Sequence, residues 1–82
     1  MTPFDPASAH EVWRSRVLSL TGVLDENSNT EEINKIKEDL LLLHVNSSDR
    51  GDHLEIILSL SAMERQEPGA LNRLKQILMK IR

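Results

Sequence analysis

The apolar residues of this chain fall into four segments, three of them spaced at three- and four-residue intervals, and that spacing restricts the chain to packed helices. Trp13, Val17, Leu20 and Leu24 form the first stripe, with Arg14, Arg16 and Ser19 off it. Ile33, Ile36, Leu40 and Leu43 form the second, and Leu71, Leu74, Ile77, Leu78 and Ile81 the last. The third segment differs. Its Leu54, Ile56, Ile57, Leu58, Leu60, Ala62 and Met63 surround most of a helix, which is the pattern of a central, mostly buried one. Alternation of Leu54, Ile56, Leu58 and Leu60 also reads as a strand, but a lone strand would have no partner in this chain. The expected fold is therefore all-α, a compact four- or five-helix bundle with short connections. Its expected core combines the three stripes, Ile77 excepted, with Leu54, Ile57 and Leu58.

Polar punctuation places the ends of these helices. Pro3 and Pro6 discourage regular structure, so residues 1–7 read as a flexible tail with Phe4 folded back, and residues 8–82 as a single helical domain. Ser8 and Glu11 have the capping-box spacing, in which each side chain satisfies the other residue's backbone donor. Asn29 or Thr30 caps the second helix, and Glu31 and Glu32 suit its positive end. Residues 25–29 are a turn, and 44–52 a loop in which Ser47, Ser48, Asp49 and Gly51 oppose a helix. One short turn hidden there is the source of the fifth helix. Asp52 and Glu55 repeat the cap spacing, and Pro68 suits the first position of the last helix.

At 82 residues the chain supports one small core, and its only aromatics are Phe4 and Trp13. The absence of cysteine excludes disulfides and thiolate metal sites. No apolar run approaches the roughly 20 residues of a membrane helix, and the first eight residues lack the basic start and apolar centre of a signal peptide. An intracellular, soluble protein of cytoplasm or nucleus is expected.

Chemistry-bearing residues are sparse. His10, His44 and His53 share no i, i+4 spacing, and the one compact donor cluster, Asp49, Asp52 and His53, reads as loop and cap residues. There is no Gly-x-Ser-x-Gly elbow and no phosphate-cradling glycine loop. The expectation is a non-enzyme with no catalytic residue, metal or cofactor. Arg50-Gly51-Asp52 and Asn46-Ser47-Ser48 match an adhesion tripeptide and a glycosylation acceptor, matches short enough to arise by chance.

Binding remains. Net charge is −3, yet no acid follows Glu67, while Arg73, Lys75, Lys80 and Arg82 do. Two apolar residues, Leu41 and Leu42, leave the stripe of the second helix, with Leu42 roughly opposite it, and Met79 leaves that of the fourth. Off-stripe apolar residues mark a candidate interface. The expected contact residues are Leu41, Leu42, Arg73, Gln76 and Lys80, serving a docking domain, adaptor or small inhibitor whose partner is an acidic protein. A homodimer would use the same patch. The alternative is a helix-turn-helix over residues 54–82, with Arg73 and Lys80 on phosphate and Gln76 on a base edge. The overall acidity of the chain weighs against it.

Two families of helical interaction domains have similar leucine spacing. Leu40, Leu43 and Val45, followed by Ile56, Ile57, Leu60 and Met63, resemble the N-terminal helical domain of transcription elongation factors and the related integrase-binding domain. Where that family carries an apolar residue in a short intervening helix, this chain has 47–52. Leu71, Leu74, Ile77, Leu78 and Ile81 instead resemble the closing helix of a death-effector or caspase-recruitment domain, without the Arg-x-Asp-Leu signature expected after it. Either resemblance implies docking of a partner protein without catalysis.

Overall fold

The computed structural model describes residues 6–82, which form four α-helices: α1 (Pro6–Thr21), α2 (Thr30–Leu41), α3 (Arg50–Glu64) and α4 (Ala70–Ile81). No strand occurs among the described residues, so the all-α reading holds. The arrangement centres on α3, with α2 packed along one side, α4 along another, and α1 on α2. Lys37 of α2 reaches Ser61 (3.2 Å) and Glu64 (2.8 Å) near the end of α3, while Ile33 lines a groove with Met63 and Ala70. Lys80, near the end of α4, pairs with Asp52 in the first turn of α3 at 3.0 Å. Both neighbours therefore run antiparallel to α3. The described residues span 44 × 22 × 17 Å. Two packed helix layers fill the thinnest dimension, and the exposure of Leu54 and Leu58 shows that one face of α3 is left largely uncovered.

Several helix ends differ from the sequence expectation. The first helix begins at Pro6, whose missing N–H costs nothing in a first turn, so Ser8 lies inside the helix and is not its cap. Residues 6 and 7 thus leave the expected tail, and Phe4 lies outside the described residues. The helix ends before Gly22, where a Cβ would sit 2.9 Å from the carbonyl oxygen of Leu18. Asn29 caps α2 as expected, accepting from the Glu32 N–H at 2.9 Å. That helix stops at Leu41 and not at Leu43.

Residues 47–49 form a turn leading directly into α3, with no separate fifth helix, and Gly51 is helical. Asp49 occupies the cap position of α3, displacing the expected cap at Asp52, but its carboxylate caps nothing because it faces α1. At the other end, Gln66 adopts a left-handed conformation (φ 58°), and the Glu67 N–H closes back on the Ala62 carbonyl at 3.0 Å. Gly69, at φ 78°, precedes α4, so Pro68 lies in the turn and not in the helix.

The core is made by Trp13, Val17, Leu24, Ile33, Ile36, Leu40, Ile56, Leu60, Leu74 and Ile81. Leu18, Leu20, Leu43, Val45, Met63, Leu71, Ile77 and Leu78 pack around it partly covered. The stripes of α1, α2 and α4 behave as expected. The third helix does not. Its buried face carries His53, Ile56, Ser59, Leu60 and Ala62, whereas Leu54 and Leu58, both expected in the core, are exposed and Ile57 is half-buried. Apolar residues on both faces of α3 left periodicity unable to choose between them, and the neighbouring helices fully cover one face only.

Candidate docking face

Three exposed leucines belong to the two helices of the α2–α3 seam, and the register of those helices relates them. Lys37 stands level with Ser61, and Leu41 follows Lys37 by one turn. Antiparallel packing then sets Leu41 beside the preceding turn of α3, which carries Ile57 and Leu58. Leu54 continues that side one turn earlier, on the same face as Leu58. Leu41, Leu58 and Leu54 are 62, 60 and 53% exposed, and Leu42 at the C-cap of α2 is 85% exposed. Sequence reasoning singled out Leu41 and Leu42 and missed Leu54 and Leu58. The available signal was the His53–Ile56–Leu60–Met63 register, which once taken as the inner face sends Leu54 and Leu58 outward.

Arg73, Gln76 and Lys80 are all exposed on α4 and line a shallow groove against α3 with Glu55 and Ile77. This face is less basic than the sequence suggests. Lys80 is paired with Asp52, whose carboxylate raises the pKa of the ammonium, and Glu55 adds a further acid. The register thus puts Leu41 level with the turn of α3 that carries Leu58, with Leu54 one turn further on, and Arg73, Gln76 and Lys80 share one groove. Met79 is exposed on another side of α4.

At the junction of α1 and α3 lies a polar cluster that sequence reasoning did not assemble. Nδ1 of His10 lies 2.9 Å from both carboxylate oxygens of Asp49. The indole N–H of Trp13 donates to Nδ1 of His53 at 3.0 Å, within the buried interior. Burial holds the His53 imidazole below its usual protonation range. The donor cluster Asp49, Asp52 and His53 is dispersed, since the three side chains turn to His10, Lys80 and Trp13 respectively. A second groove, open and of about 560 Å³, runs between the α1–α2 and α3–α4 connections with Ile33, Met63 and Leu71 inside and Asp25, Glu26 and Glu67 among its lining.

Compared with known protein families, curated proteins and solved structures, the chain matches none. No helix among the described residues is long and apolar enough to cross a membrane.

Proposed function

We propose that this chain is a non-catalytic protein-docking module whose anchor is the leucine face of α2 and α3. The observation that carries this reading is the exposure of Leu41, Leu54 and Leu58 on adjoining turns of two packed helices, with Leu42 beyond them. Burying that face against a partner would supply apolar binding energy of about 25 cal/mol per Å² before the costs of association. The occupant that fits is an amphipathic helix laid along the α2–α3 seam, its apolar side anchored at i, i+3 and i+4 positions. Arg73, with Gln76 and Lys80 beyond it, forms a polar rim of mixed charge, since Glu55 and Asp52 lie beside it, and that rim would hydrogen-bond a polar flank of the partner.

The helix-turn-helix alternative has less support. Its recognition surface would be the α4 face, where Asp52 and Glu55 accompany Arg73 and Lys80 and would meet phosphate with like charge. The two resemblances to interaction domains point to docking as well.

The test is affinity capture from the source lysate after nuclease treatment, with wild-type protein, Leu58→Asp and Leu42→Asp side by side. Docking predicts a stoichiometric protein retained by the wild type and lost by the variants, whose helical circular dichroism stays unchanged. Capture that disappears with nuclease, or that both folded variants retain, refutes the leucine face as the anchor.

A further inference from the structure

The Trp13–His53 pair has a chemical property that the docking reading does not use. An indole N–H is a donor only, so Nδ1 of His53 must offer its lone pair, and the imidazole must be neutral with its proton on Nε2. Protonation at Nδ1 would set N–H against N–H across 3.0 Å in the core, leaving a buried donor unsatisfied on each side. We propose that this buried hydrogen bond is a proton-operated latch: uptake of a proton by the His53 imidazole breaks it and frees Trp13 of α1 from the core of the bundle.

The surroundings favour a response at this joint. Trp13 is the largest side chain of the core, and its indole N–H ties α1 directly to α3. The charged and titratable groups nearby are His10 and Arg14 on α1, Asp49 in the turn before α3, and the Asp52–Lys80 pair joining α3 to α4. Asp49 is engaged by His10, Arg14 by Glu11 at 2.7 Å, and Asp52 by Lys80. From α2, Lys37 turns toward Glu64, about three helical turns further along α3. Burial lowers the pKa of His53. The His10–Asp49 contact behaves oppositely, because a protonated imidazole still donates to a carboxylate, so acid spares that link while it breaks the one at Trp13. Freeing Trp13 uncovers apolar surface beneath α1.

Trp13 is the only tryptophan and tyrosine is absent, so intrinsic fluorescence reports on this one ring. The experiment follows the emission maximum, acrylamide quenching and far-ultraviolet circular dichroism of the full chain from about pH 7.5 to about pH 4.5. The expected result is a red shift and a several-fold rise in the quenching constant, with a midpoint below the ordinary histidine value of about 6.5 and most helix retained. His53→Asn places a non-titrating carbonyl oxygen near Nδ1 and should abolish the shift, whereas His10→Gln should leave it. Should His53→Asn fail to fold, nuclear magnetic resonance titration of the wild-type His53 ring decides, because its protonation midpoint must coincide with that of the red shift. An unchanged red shift in folded His53→Asn, a mismatch of midpoints, or no red shift before the helices melt overturns the latch.

Discussion

Leu58 and Leu60 are two residues apart on α3, and the structure assigns them opposite roles. Leu60 is completely buried, while Leu58 hides only about two fifths of its surface. Truncating Leu60 to alanine removes three buried carbons and leaves a cavity, for which the expected cost is about 2–5 kcal/mol. At Leu58, two fifths of the roughly 2–3 kcal/mol gained by burying a leucine sets a ceiling of about 1 kcal/mol. The greater helix propensity of alanine lowers that further, by about 0.2 kcal/mol. A domain of 82 residues is expected to have a total stability of about 4–12 kcal/mol, so the first change consumes much of it and the second little. Urea unfolding followed by circular dichroism at 222 nm measures both. At about 4–8 °C per kcal/mol, Leu60→Ala should lower the melting temperature by roughly 10 °C or more and Leu58→Ala by only a few degrees. Equal losses, or a larger loss at Leu58, would refute the assignment of the inner face of α3 and with it the exposed leucine face.

Two further outcomes follow from the buried polar groups. Ser59 is fully buried with no hydrogen-bond partner for its hydroxyl, so Ser59→Ala should stabilise the domain by about 1 kcal/mol in the same urea assay. The pH dependence of stability has a definite sign at His53. Its folded form resists protonation, whereas the unfolded chain binds a proton with an ordinary value of about 6.5. The unfolded state therefore binds more protons below that value, and the contribution present above about pH 6.5 is lost as the pH falls toward the folded value. Urea midpoints measured from neutral pH downward should fall in the wild type and less steeply in His53→Asn. Equal slopes would mean that another group carries the acid sensitivity.

Local rules carried most of the secondary structure. The stripes of α1, α2 and α4 each have one apolar face, so periodicity specified both helix and inner side, and Asn29 was legible as a cap because its side chain reaches its own helix. The sequence by itself also excluded disulfides, since it has no cysteine. What it left open were choices between equivalent local solutions. Asp49, at the cap position of α3, was drawn instead to His10, 39 residues away. His53 looked like a helix-end residue until Trp13, 40 residues distant, was found to donate to it. On α3 two apolar faces competed for the interior, and only the tertiary arrangement chose between them. With α2 and α4 packed against α3, Ile56 and Leu60 are fully covered while Leu54 and Leu58 keep more than half of their surface exposed. Periodicity encodes which residues share a face, but burial of that face is a property of its neighbours, and those neighbours are placed by packing across the whole chain.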